Sequence, residues 1–382
     1  MPDNVDVLIV GAGAAGLSTA AALGRRGITA RLIDRDTTIG GSWARRYAAL
    51  HLHTIRRFSG LAHYPIPADR PQYLSKDAYA AYLRGYAARL GLDVVLGQDV
   101  QSVQPASRAG GGWEVVSSSG AQCARAVVVA TGLYAEPLVP AVTGSDQFTG
   151  TLLHAAAYHD AAPYLGKRVL VVGLGNSGAE IAADLAAHGA GSVCVSIRTP
   201  PPIVSREMFG FVPVQLFGIA LSPVGLPRIV DRVSGALRRL SLGDLTRYGL
   251  QPATWGPFTE QRPAVIDTGF LKQLKLGRID PRPATAGFDM NEVIYSDGRR
   301  EEVDAVIMAT GYRTGLGKLL GRSAPIDAAG RPVDPLDVMA AVPGLYFVGF
   351  TETVRGQLFE INRQSRRVAA DIDTFLRKVL PD

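Results

Sequence analysis

Two glycine-rich turns of the same spacing stand far apart in this chain, Gly11-Ala12-Gly13-Ala14-Ala15-Gly16 and Gly173-Leu174-Gly175-Asn176-Ser177-Gly178. Each follows an apolar run, Val5 to Val10 and Arg168 to Val172, and opens a helical stretch: about Ala14 to Arg26 before Gly27, and about Asn176 to His188 before Gly189. Strand, turn and helix in that order leave few folds open. The first glycine makes the turn, the second lets a pyrophosphate approach bare backbone, and the third lets helix and strand pack closely. The helix N-terminus adds roughly half a positive charge toward the phosphates. Two dinucleotides are therefore expected.

The two units end differently. After the next strand of the first, Ala30 to Asp34, a carboxylate arrives where ribose hydroxyls are received. The corresponding strand of the second, Ser192 to Arg198, closes on Ile197-Arg198-Thr199. An arginine can hold a 2′-phosphate through a two-pronged hydrogen bond, which favours NADPH over NADH; the alternative is that Arg198 is a solvated strand end.

Two short apolar strands, Val127 to Val129 and Ala305 to Met308, both run into Ala-Thr-Gly, one before the second nucleotide unit and one after it. Paired endings suggest paired crossings, with Gly132 and Gly311 near the hinges. The expected fold class is α/β with two Rossmann-like nucleotide-binding domains, the second inserted into the first. Residues 1–150 and 285–382 are expected to form one domain and 151–284 the other, with a helical insert over about 205–262 on the substrate side. An Asp297-Gly298 turn within Glu292 to Glu301 signals a hairpin, and a C-terminal helix is expected from about Leu358 to Val379.

The 382 residues suffice for two or three domains with sizeable cores, and the net charge of +6 comes from scattered arginines without a basic run. Nucleic-acid binding is not indicated. The two cysteines, Cys123 and Cys194, form no C-x-x-C pair, which removes a disulfide-reductase mechanism and suits a reducing, cytoplasmic setting. No metal-ligand set is present. The acidic start and the glycine turn argue against a signal peptide. Met208 to Val230 is apolar but broken by Pro213, Pro223 and Pro227, so it reads as a cap over an active site, a lipid contact or a protein interface rather than a membrane span.

Between the turns lies Phe148-x-Gly150-x-x-x-His154-x-x-x-Tyr158. With Gly40-Gly41-Ser42-Trp43 and the two Ala-Thr-Gly strands, this string resembles the class B flavin-dependent monooxygenases, the flavin-containing monooxygenases, over nearly the whole chain. Within that family the plant YUCCA type, which converts indole-3-pyruvate to indole-3-acetate, is the most similar. The stretches Gly166 to Gly173, Gly175 to Gly178, Ser205-Arg206-Glu207-Met208 and Ala309-Thr310-Gly311-Tyr312-Arg313 carry that likeness.

The resemblance implies FAD and NADPH as cofactors and an enzyme that activates O2 as a flavin C4a-(hydro)peroxide. It would oxygenate a small, acidic or aromatic substrate: either a 2-oxo acid with decarboxylation or a soft nitrogen or sulfur nucleophile. The cofactor-binding residues expected are Gly11, Gly13, Ala15, Gly16, Asp34, Arg35, Gly41, Ser42, Trp43, His53, Val100, Thr131, Gly132, Gly173, Gly175, Asn176, Ser177, Gly178, Arg198, Thr310, Gly311 and Gly349.

His53 stands where animal members carry an asparagine beside the flavin, as in the plant type, and is the expected catalytic residue; packing beside the ring is the alternative. His154 reads as a domain-linking hydrogen-bond residue. Tyr158 replaces the tryptophan of Baeyer–Villiger members, which disfavours ester formation. The C-terminal membrane anchor of animal members is not expected. Substrate-side candidates are Arg206, Phe209, Trp255, Arg355 and Gln357, with Arg262 as a further carboxylate partner. Two other readings stay open: a flavin reductase or dehydrogenase without oxygen transfer, and a non-catalytic nucleotide-binding partner protein. A homo-oligomer is compatible with all of them.

Overall fold

The computed structural model describes residues 5–107, 111–333 and 342–379. The first sheet carries five parallel strands in the spatial order Asp93–Val95, Ala30–Ile33, Val5–Val10, Gly120–Val129 and Leu345–Phe347. Val100–Pro105 and Trp113–Ser117 form an antiparallel meander that feeds the long strand Gly120–Val129. The central strands read as continuous apolar runs because both faces are covered. Helices Ala14–Gly24 and Gln357–Val379 pack on the face of Val7 and Ile9, where Ser18 and Ser365 meet hydroxyl to hydroxyl at 2.8 Å. The meander and Leu316–Leu320 cover the face of Leu8 and Val10. Each buried aliphatic side chain of this kind contributes about 2 kcal/mol.

The second sheet is wholly parallel, in the order Asp280–Arg282, Ser192–Ser196, Arg168–Val172, Ala305–Met308 and Thr151–His154. Helices Asn176–Ala187 and Phe270–Lys275 cover one face. A three-stranded meander, Thr285–Asp289, Glu292–Tyr295 and Arg300–Glu302, covers the other and buries Cys194, whose thiol burial pushes up to about 12. The Asp297-Gly298 turn joins the last two strands, with Gly298 at φ +84°.

The boundary expected at residue 284 is therefore corrected: the second sheet continues through Met308. The physical reason also explains the repeated Ala-Thr-Gly. Each of those strands lies beside its own nucleotide strand, so its small residues must let the glycine turn pass. A Cβ on Gly11 would lie 2.6 Å from the carbonyl of Ala130, and one on Gly173 would lie 2.7 Å from that of Ala309. From these two points the chain crosses between sheets, and the crossings pair antiparallel through Glu136–Pro137 and Tyr312–Arg313. The second unit is thus inserted into the first.

The expected insert leaves the second unit between Ile203–Ser205 and Val265–Asp267, which pair in parallel at its base. It comprises a hairpin, Glu207–Met208 with Val212–Pro213, followed by helices Val214–Leu221 and Pro227–Leu242.

Candidate active site

The two turns have the same construction. Gly11 and Gly173 hold φ of +107° and +104°, and a Cβ on Gly16 or Gly178 would fall 1.8 or 2.0 Å from the carbonyl of Gly11 or Gly173. The middle glycines differ in kind: nothing lies within 4 Å of the Cβ position at Gly13 or Gly175. Two open cradles of bare backbone at helix N-termini fit two pyrophosphates.

In the first unit Asp34 closes the loop, accepting from the N–H of Ala12 at 2.6 Å and of Asp36 at 2.8 Å. Burial pushes its carboxyl up, and the two N–H donors oppose that shift. Two buried side-chain oxygens beside this region have no hydrogen-bond partner, Thr131 Oγ1 and Gln98 Oε1. Thr131 follows the carbonyl that crowds Gly11, and the N–H of Gln98 donates to the Asp34 carbonyl at 2.9 Å, with Val100 two residues on. Orphaned acceptors and donors at these points fit a bound FAD. Gln98 was not foreseen from the sequence. Gly349 backs the first helix, where an added Cβ would meet Ala15 at 3.0 Å. Trp43 follows Gly41 and exposed Ser42 and stacks edge-on against Tyr79 at 4.8 Å, while Arg35 and Gly132 lie at or near the surface.

Register explains the second unit's ending. Gly11 N–H donates to Ile33 O at 2.8 Å and Gly173 N–H to Ser196 O at 2.9 Å, so Ile197 occupies the place of Asp34. No carboxylate stands there to repel a phosphate, and Arg198 is exposed one residue further on. Arg198→Ala is expected to lower kcat/KM for NADPH about 10- to 100-fold while NADH changes little, since a charge-assisted bond contributes roughly 1.5–3 kcal/mol. Equal loss with both cofactors would remove the 2′-phosphate assignment. Asn176 Oδ1 accepts from Ile266 N at 2.8 Å and so joins the helix start to the base of the insert.

The string between the turns works as bracing. Phe148 packs on Phe288 at 5.3 Å, and Gly150 leaves room for the Asp304 carbonyl, 2.7 Å from an added Cβ. Tyr158 OH donates to Asp184 at 2.5 Å, inside the core. His154 Nδ1 accepts from Ala156 N at 3.0 Å, which leaves Nε2–H to donate to the Gly311 carbonyl at 3.0 Å. Burial holds its pKa below the usual histidine value. The neutral form makes both bonds; acidification would protonate Nδ1 and remove the bond from Ala156, while the Nε2–H bond to Gly311 survives in either form.

Where the units meet, Glu180 of helix Asn176–Ala187 is buried and accepts hydrogen bonds from Tyr47 OH and His53 Nε2 of the first unit. A carboxylate only accepts, so Nε2 carries the His53 proton and Nδ1 is the remaining nitrogen. Burial, then the charge of Glu180, raises the Tyr47 hydroxyl well above its ordinary value. The insert reaches the same segment. Gln215 Oε1 accepts from Ile55 N at 2.9 Å while its Nε2 donates to Arg355 O at 2.7 Å, and Gly356 lets Thr54 approach. Along this segment, Leu52 N–H donates to Leu74 O and Arg56 N–H to Gln72 O, which sets Tyr73 alongside Thr54. The Arg206 guanidinium stacks on Tyr73, 4.2 Å from the ring centre.

Residues 4–319 match the family model described as flavin-binding monooxygenase-like. The chain belongs to that family. Indole-3-pyruvate monooxygenase YUCCA1 of Oryza sativa subsp. japonica is 36% identical over 382 residues, covering 96% of this chain and 90% of the relative. Probable indole-3-pyruvate monooxygenase YUCCA3 of Arabidopsis thaliana is 36% identical over 380 residues, covering 96% and 86%. Among solved structures, a double mutant of the flavin monooxygenase from Stenotrophomonas maltophilia superposes with a TM-score of 0.77 at 25% identity, covering 98% of this chain and 99% of that one.

This flavin monooxygenase uses FAD and NADPH. Held at these cradles, FAD and NADPH would supply the redox chemistry that activates dioxygen. The protein's own residues would cradle the two pyrophosphates at the open turns of Gly13 and Gly175, while Glu180 fixes His53 and the insert reaches the same segment through Gln215. The substrate-side candidates divide. Arg206 joins the junction. Arg355 is engaged by buried Glu360, Nε to Oε1 at 2.6 Å, and Gln357 donates to the Gly349 carbonyl at 3.0 Å. Phe209 stands 53% exposed at the hairpin tip with φ +56°. Trp255 lies under exposed Arg262 at 4.7 Å, in a loop tied through Phe258 and Thr259 to Asp231 of the second insert helix. Among the described residues, neither aromatic hydrogen-bonds or stacks with the His53 cluster. No described helix is long and apolar enough to cross a membrane.

Proposed function

We propose that this monooxygenase oxygenates a 2-oxo acid with loss of carbon dioxide, of the aromatic kind that indole-3-pyruvate represents among its plant relatives. The observation that carries the reading is Arg206. Its guanidinium forms no ion pair among the described residues and sits over the ring of Tyr73, 4.2 Å from its centre, where the backbone on either side of Tyr73 is hydrogen-bonded to Leu52 and Arg56 of the segment that carries His53. A planar cation held by ring stacking is preorganised for a carboxylate. Arg355, by contrast, already has Glu360 as its counter-ion. His53 Nδ1 is the group near the junction able to accept or hold a proton as the keto acid reacts. The setting proposed is cytoplasmic, which suits a buried free Cys194 and a partly buried free Cys123.

The test is product analysis with indole-3-pyruvate and phenylpyruvate beside an amine and a thioether. Arg206→Ala should raise KM for the keto acids about 10- to 100-fold, as expected for a lost charge-assisted pair, with Arg206→Lys in between. Preferential amine or sulfide oxygenation would refute the reading, as would an unchanged KM in Arg206→Ala.

A further inference from the structure

Helix Pro227–Leu242 of the insert turns an apolar stripe outward. Ile229 and Val233 are each 53% exposed and Leu240 is 78% exposed, with Leu226 before the helix also at 53%. At about 100° per residue, Ile229, Val233 and Leu240 fall within roughly 40° of one another. The buried Val230 marks a different side, so the stripe is not the face by which the helix packs on the protein. Alongside it, about 100° round the helix, runs a ridge of exposed arginines, Arg228, Arg232 and Arg239. None of the three forms an ion pair among the described residues. The helix has one acid, Asp231, and its carboxylate turns inward to accept from Phe258 N at 3.0 Å and Thr259 N at 2.8 Å.

An exposed apolar stripe beside a cationic ridge, whose one nearby acid is Asp244 beyond the helix end next to Arg239, matches the layered charge of an anionic bilayer surface, with acyl chains below and phosphates beside them. A second copy of the chain fits less well. Stripe against stripe, it would bring two arginine ridges together without an acid on either helix free to pair with them. We propose that this helix docks the enzyme, reversibly and without spanning, onto membranes rich in anionic lipid.

The test uses the FAD-loaded, full-length enzyme in co-sedimentation with phosphatidylcholine vesicles, with and without phosphatidylglycerol. Binding is expected only with the anionic lipid and should weaken with salt. Ile229→Asp and Val233→Asp should each weaken it roughly tenfold, as lost burial of one apolar side chain predicts. Arg228→Gln, Arg232→Gln and Arg239→Gln should each cost roughly fivefold. Flavin content and circular dichroism should match the parent, because all five side chains are exposed. Vesicle binding indifferent to Ile229→Asp and Val233→Asp overturns the proposal. So does absence of binding together with a solution dimer that these substitutions dissociate, which would make the stripe a self-interface.

Discussion

Gly13→Val should give a folded but colourless protein, and Gly175→Val a folded yellow one that NADPH reduces about a hundredfold more slowly. Backbone geometry separates these two glycines from their neighbours. Gly13 has φ −78° and ψ −168°, and Gly175 has φ −91° and ψ −173°, extended conformations open to any residue. Beyond the immediate chain neighbours no protein atom lies within 4 Å of either Cβ position, so a side chain added there projects into the open cradle. Displacing a pyrophosphate by about 1 Å also misplaces the reacting ring, a shift of the order that costs roughly 10²-fold in rate. Gly16→Val serves as the contrast, since its Cβ would stand 1.8 Å from the Gly11 carbonyl and the fold itself should fail. Visible absorbance, circular dichroism and anaerobic reduction by NADPH against dithionite distinguish the three. A yellow Gly13→Val enzyme, or normal NADPH reduction of Gly175→Val, would show that these cradles do not hold the cofactors.

Glu180→Ala is expected to be the most damaging single change at the junction. It strands the Tyr47 hydroxyl and the His53 Nε2–H, both facing a carboxylate only 6% exposed. Each orphaned donor costs about 1–3 kcal/mol. The two units should part more readily, so water enters and more hydrogen peroxide is released per NADPH consumed. His53→Ala should raise the peroxide fraction with a smaller loss of stability, because Tyr47 keeps its acceptor. Tyr47→Phe should do the reverse. Chemical unfolding with peroxide and NADPH assays on the same samples separates bracing from proton handling. An unchanged midpoint and unchanged peroxide ratio in Glu180→Ala would leave the carboxylate without either role.

The sequence made the nucleotide turns legible because their chemistry is local: three glycines, one strand and one helix lie within a few residues of each other. Glu180 was not legible, since an acid in the second turn of an amphipathic helix looks like any solvated one, and its partners Tyr47 and His53 lie more than a hundred positions away. Gln215 and Glu360 were hidden likewise. Glu360 changes the standing of Arg355, which from sequence alone was as free as Arg206.

Strand membership shows the same division. Ala305 to Met308 announces itself as a buried strand, yet nothing in its residues says which sheet takes it, and assigning it to the first unit put the boundary at 284 instead of beyond Met308. The periodic face of Pro227–Leu242 is equally mute on whether it is covered.

What the sequence alone determined is therefore the set of local devices: two glycine-rich strand–turn–helix cradles and the family to which they belong. Tertiary structure alone decided which charges are already paired, which apolar faces stay open, and where the two units are bolted together. Turn geometry follows from neighbouring residues, whereas burial and pairing depend on groups that only folding brings side by side.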